Sequence, residues 1–163
     1  MNPIEFYTSI INRFNKHKVE YMIVGGYAVI AHGYPRATID LDIWIKKSIA
    51  NCKNVIKALE DLGYEKEKCI EVGNILSNGG IVNVFRDKNK VYLISEYSSY
   101  LDFDESYNNK KEVIFENERY IFIGYKELIE SKTNSGRQKD YEDVKNLKEV
   151  KKLEKNNNSD GKY

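Results

Sequence analysis

The chain has 163 residues, enough for one domain with a substantial core. Its 26 Lys and Arg nearly balance 25 Asp and Glu, which removes the case for a uniformly basic nucleic-acid-binding surface and leaves only local clusters. No apolar run approaches the roughly 20 residues needed to span a bilayer, and the N-terminal stretch lacks a signal peptide's apolar core, so a cytoplasmic protein with no membrane contact is expected. In that setting Cys52 and Cys69 are expected reduced and packed.

Ile4, Tyr7, Ile11 and Phe14 recur at helical spacing, which predicts an amphipathic first helix ending at 16–18. An apolar strand over 21–24 then meets Gly25 and Gly26, where missing Cβ atoms allow a tight turn and close backbone approach to a ligand. A short helix over 25–31 would aim its first N–H groups at that ligand, an arrangement that favours phosphate. His32-Gly33-Tyr34-Pro35 breaks this helix. A second strand over 40–45 carries Asp40 and Asp42 on one face, roughly 6.5 to 7 Å apart along the chain. Leu41, Ile43 and Ile45 take the opposite, buried face. Two carboxylates so placed suit a cation.

Ser48 is the expected N-cap of a helix with Ile49, Cys52, Ile56 and Leu59 on one face, stopping near Gly63. Strands are expected over 69–72, 81–85 and 91–94, separated by Asn- and Gly-containing turns. A turn or short helix over 103–107 leads to a hairpin, 112–115 and 120–123, around Glu116-Asn117-Glu118-Arg119. A helix over 125–133, a break at Gly136 and a last helix over 138–153 complete a single domain of residues 1–154. The almost wholly polar 155–163 is expected to be a disordered tail.

The run Gly25-Gly26-x-Ala28, His32-Gly33, Arg36, Thr38, Asp40-x-Asp42 resembles the motif of the DNA-polymerase-beta-like nucleotidyltransferase superfamily. Within it the chain looks most like small bacterial nucleotidyltransferase-like proteins related to AbiEii-type abortive-infection toxins. Leu128-Ile129-x-x-Lys132, Gly136-Arg137-x-Lys139-Asp140 and Asp143 resemble the ending common in those proteins. The resemblance implies an α+β fold, a mixed β-sheet flanked by helices with a helical C-terminus. It also implies a nucleoside triphosphate over the glycine turn and Mg²⁺ (or Mn²⁺) on Asp40 and Asp42, which would be both metal ligands and catalytic residues. The reaction would transfer a nucleoside monophosphate to an RNA (tRNA) or protein acceptor, in a toxin–antitoxin or phage-defence system with an antitoxin as partner.

The residue chemistry agrees with that implication, because phosphoryl transfer is mostly positioning plus charge neutralisation by hard, oxygen-ligated metals. Just ahead of the second strand, Arg36 can clamp phosphate oxygens and Thr38 can donate a hydrogen bond, or they form a surface salt bridge and a β-favouring position. Lys132, Arg137 and Lys139 can reach a triphosphate or nucleic-acid acceptor, or lie on a solvated helical face with Asp140 and Asp143 as ion-pair partners. His32 reads as a general base or as a capping and packing residue. Tyr97, Tyr100 and Tyr107 can stack on a base or close a core edge.

Active members of that superfamily usually carry a third carboxylate on a later strand, and the aligned position here is Tyr92. A phenol, with a reference pKa of about 10, cannot replace a carboxylate as a hard ligand. Glu96 shares the parity of Tyr92 but lies roughly 13 Å further on in a straight strand. A bulge would shorten that distance, and Asp87 serves if the strand assignment slips. Two readings therefore stand: an active nucleotidyltransferase, or a degenerate fold that binds nucleotide, nucleic acid or a protein partner without chemistry.

Overall fold

The computed structural model describes residues 2–160. Helix α1, Pro3–Lys16, starts with a reciprocal cap: the Glu5 amide donates to the Asn2 side chain at 2.9 Å and the Asn2 amide to the Glu5 carboxylate at 3.1 Å. It buries Phe6, Tyr7, Ile10, Ile11 and Phe14, whereas Ile4, predicted on the buried stripe, is 73% exposed in the first turn. Strand β1, Tyr21–Val24, is buried throughout and runs directly into α2, Gly25–Ala31. Strand β2 is Leu41–Ile45, so Asp40 precedes the strand while Asp42 lies within it.

Ser48 caps α3, Ile49–Asp61, through its hydroxyl, as expected, but Ile49 is exposed. Residues 69–72, expected as a strand, belong instead to α4, Lys66–Ser77. The β-branched Ile70 and Val72 suggest a strand, and the packing of α4 on α3 overrides them. Gly73 provides that approach, since a Cβ there would overlap the Ile56 side chain. Strands β3, Ile81–Arg86, and β4, Asn89–Ile94, form a hairpin. Helix α5, Phe103–Asn108, is capped by Asp102. Strands β5, Lys111–Phe115, and β6, Glu118–Phe122, are joined by Glu116 and Asn117, both at positive φ, the geometry of a two-residue hairpin turn.

Helices α6, Tyr125–Thr133, and α7, Gln138–Asp160, close the chain around Gly136, whose φ is 71°. The expected disordered tail, 155–163, is corrected over its first part: α7 continues through Asp160, with Lys151 and Glu154 paired one turn apart at 3.5 Å where the helix was expected to stop. The last three residues, 161–163, lie outside the described residues.

The six strands form one mixed sheet in the order β3-β4-β2-β1-β6-β5, parallel at β2/β4 and β1/β6 and antiparallel elsewhere. One face carries Tyr21, Ile23, Leu41, Ile43, Ile45, Val91 and Leu93 into the core, with Tyr21 against Phe14 of α1 at 5.8 Å. The other face carries Asp42, Trp44, Tyr92 and Ile94. Trp44 is sealed by Tyr97 and Phe103 at 5.3 and 5.2 Å, which leaves the Asp42 end of this face open. Among the described residues no helix is long and apolar enough to cross a membrane.

Candidate active site

Glycines 25 and 26 and aspartates 40 and 42 converge where β1 turns into α2. Val24 is the register partner of Asp42, so the turn after β1 passes directly over the Asp42 carboxylate. A Cβ on Gly25, whose φ is 66°, would overlap that carboxylate, and one on Gly26 would overlap Thr38. The glycines are therefore needed for close approach as well as for the turn. Tyr7 holds the following loop by donating to the Ile39 carbonyl at 2.6 Å. Burial first, and then the neighbouring Asp40 charge, push the Asp42 carboxyl up to about 6, against the pull of Arg137, Lys132 and Arg36.

The cationic side of the site comes from α6, α7 and the loop before β2. Lys132 is 5% exposed and donates to Asp140 and Asp143, both at 2.8 Å. Asp143 also accepts from Arg36 at 2.7 Å, and Asp140 from Ser135 at 2.6 Å and Arg137 at 2.8 Å. Lys132 thus lies on no solvated helical face; it is the centre of a buried network that ties α6 to α7 and both to the Arg36 loop. Burial pushes the Asp140 carboxyl up, but the Lys132 and Ser135 hydrogen bonds and the Lys132 and Arg137 charges outweigh it and leave its pKa lowered. The Arg137 side chain is 77% exposed, so its guanidinium remains open to a ligand.

Two adjoining depressions flank this network. One, of about 480 Å³, is lined by Gly25, Gly26, Arg36, Thr38, Asp40 and Asp42 with Lys132, Arg137 and Lys139. The other, of about 370 Å³, shares Gly25, Asp42, Lys132, Arg137 and Asp140 and continues past Ser98, Ser99, Tyr100, Ser131, Asn134 and Ser135. Of the residues singled out from the sequence, Gly25, Gly26, Arg36, Thr38, Asp40, Asp42, Lys132, Arg137 and Lys139 meet at one cleft. The serines and Asn134 carry no such motif, and their one sequence signal is position: Ser135 stands beside the Gly136 break.

Tyr92 is the register partner of Asp42 on β4, which places it on the same sheet face, and it lines neither depression. Neither alternative acid reaches the site. Glu96 lies past the end of β4 and pairs with Lys47. Asp87 sits in the β3–β4 turn, five residues from Tyr92 and so roughly 16 Å along the strand. Among the described residues, no group of three or more His, Cys, Asp or Glu is placed to hold a metal. His32 makes a structural contact, with Nε2 at 2.8 Å from the Ile123 carbonyl and its ring edge-on to Tyr125. Burial lowers its pKa, which favours a neutral ring donating to that carbonyl. Of the three tyrosines, Tyr97 packs on Trp44 and bonds Ser131, Tyr107 stacks on Phe103, and Tyr100 is exposed at the cleft.

No protein-family model matches the chain, and no curated protein matches its sequence. Solved structures do. The lincosamide antibiotic adenylyltransferase LnuA, in its lincomycin-bound crystal structure, superposes with a TM-score of 0.56 at 18% identity, covering 92% of this chain and 98% of that one. The Thermotoga maritima protein TM1012, described as a nucleotidyltransferase, gives a TM-score of 0.54 at 13% identity, with 96% and 92% covered. The chain therefore has the mixed-sheet, helix-flanked fold of these nucleotidyltransferases over nearly its whole length.

Proposed function

We propose that this protein transfers a nucleoside monophosphate from a nucleoside triphosphate to an acceptor hydroxyl, releasing pyrophosphate and a proton. The observation that carries the reading is one cleft holding Asp40 and Asp42, a glycine turn pressed onto Asp42, and the exposed guanidinium of Arg137. The carboxylates fit a hard divalent cation, Mg²⁺ or Mn²⁺, because they are two oxygen donors at one cleft, and burial together with the Asp40 charge raises the Asp42 pKa, which a bound cation would offset. When bound, that cation neutralises charge on the phosphates. Gly25 and Gly26 let the backbone approach the triphosphate, Arg137 and Arg36 hold its oxygens, Thr38 donates to them, and Lys132 contributes positive charge from the buried network.

The acceptor proposed from the sequence is an RNA such as tRNA, or a protein, within a toxin–antitoxin or phage-defence system with an antitoxin as partner. LnuA is described as acting on a lincosamide antibiotic, which adds hydroxylated small molecules to the acceptors worth testing. The protein is incubated with each α-labelled NTP and Mg²⁺ or Mn²⁺, with total tRNA, cell lysate or lincomycin. Label transfer that disappears in Asp42→Ala is expected. No transfer with any acceptor, or transfer unchanged in Asp42→Ala, refutes the reading. A second reading, nucleotide binding without chemistry, is favoured by Tyr92 standing beside Asp42 where a carboxylate would complete a metal site. Tight NTP binding with no transferred label is its signature.

A further inference from the structure

The ligands around Asp42 bear on how many cations the cleft takes. A two-ion site holds its metals about 3.5–4 Å apart and needs carboxylates on both sides of the pair. The register partners of Asp42 in the sheet are Val24 on β1 and Tyr92 on β4, and neither is an acid. Asp140 reaches the cleft wall, but Lys132, Ser135 and Arg137 occupy its oxygens, and Lys132 and Arg36 share one oxygen of Asp143. Glu96 is paired with Lys47 outside the cleft.

A second divalent ion would therefore find no acid beside Asp42 on β4, and within the cleft that Asp42 shares it would meet the ammonium of Lys132 and the guanidinium of Arg137. A single Mg²⁺ is commonly held by one or two carboxylates together with substrate phosphates, which matches Asp40 and Asp42. We infer that this cleft takes one divalent cation, entering with the triphosphate, and that the lack of an acid at position 92, beside Asp42, leaves a second without a ligand. Fixed positive charge from Lys132 and Arg137 takes the place of the second ion's charge. The inference rests on the nucleotide-binding reading above.

Manganese is counted directly, by electron paramagnetic resonance titration of the protein with a non-hydrolysable α,β-methylene NTP analogue. One Mn²⁺ per chain is expected for the wild type and for Tyr92→Phe, and two for Tyr92→Asp. Two ions on the wild type, one ion on folded Tyr92→Asp, or loss of the ion in Tyr92→Phe overturns the inference. If Tyr92→Asp does not fold, the wild-type and Tyr92→Phe counts decide it alone. A nucleotide-dependent ion that vanishes in Asp42→Asn locates the site. No uptake with any analogue refutes the nucleotide-binding reading itself, an outcome distinct from a count of two.

Discussion

Asp140 and Asp143, at the start of α7, are each 3% exposed, yet every oxygen that the network uses meets a cation or hydroxyl of the protein, and the Asp140 pKa is lowered despite burial. Asp42, on β2, is less deeply buried, and its pKa is pushed up to about 6 because burial and Asp40 outweigh three cations acting from a distance. Asp40, Asp42 and Asp140 line the cleft, with Asp143 behind Asp140 in the same network, and the two pairs differ in what balances them. Where the chain supplies the counter-charge, the carboxylates are structural and lock α6, α7 and the Arg36 loop together. At Asp42 no cation of the protein outweighs burial and the Asp40 charge, which is what the proposed cation would do. Depth of burial alone would have ranked the two pairs the other way round as sites.

The comparison breaks most sharply at Lys132. Replacing it with Met keeps the length of the side chain and leaves Asp140 and Asp143 facing each other with Arg137, Ser135 and Arg36 alone. Removing one partner of a buried ion pair costs about 3–5 kcal/mol, so Lys132→Met should lose that much stability at pH 7 by chemical denaturation. A loss below about 1 kcal/mol would show that Lys132 is not what balances the acids.

That pairing also marks the limit of what the sequence discloses. The glycine turn and the strands on either side are local, set by alternation and by missing Cβ atoms over some twenty positions, and the structure reproduces them, except that β2 begins at Leu41 and leaves Asp40 in the loop before it. The contact between Arg36 and Asp143 spans 107 positions, and nothing in either neighbourhood announces it. The sequence offers Asp140 and Asp143 as ion-pair partners of Lys132 only on a solvated helical face, as the alternative to ligand contact, because the depth of a helix face is set by what packs on it. The same holds for α4, where Gly73 against Ile56 decides for helix over the strand propensity of Ile70 and Val72. Tyr92 is the opposite case: its departure from the acidic pattern is legible in the sequence, and the register only adds that it stands beside Asp42.

A smaller effect is expected at the glycine turn. Gly25→Ala places a side chain at φ 66°, a left-handed conformation costing about 1 kcal/mol, and drives a Cβ into the Asp42 carboxylate. A total loss of about 2 kcal/mol is expected. Gly63→Ala is the control, because Gly63 also has positive φ but its Cβ would meet nothing within 4 Å. Equal losses in the two variants would show that the turn does not press on Asp42; a larger loss at Gly25, with nucleotide-dependent Mn²⁺ uptake abolished, isolates the contact.

The smallest effect carries the opposite sign and tests the uncompensated pair most directly. The folded-state pKa of Asp42, about 6, lies above its unfolded value of 3.8, so the metal-free protein is penalised for this group as pH rises. Below pH 3.8 both states hold the proton and the penalty is absent. It grows as the unfolded chain ionises first, and is complete once pH exceeds the folded pKa. A shift of this size corresponds to at most about 3 kcal/mol, and because Asp42 is only part-buried, solvent screening reduces it to ~1–2 kcal/mol. Asp42→Asn keeps the shape and removes the charge. In urea denaturation with chelator, the variant should be more stable than the wild type by ~1–2 kcal/mol at pH 8, and the gap should shrink to a few tenths at pH 4. The equivalent change at Asp140 should destabilise at pH 8 instead, since there the charge is held by Lys132 and Arg137. If both substitutions destabilise alike, the two acid pairs are not differently balanced, and the case for a cation at Asp42 loses its electrostatic footing.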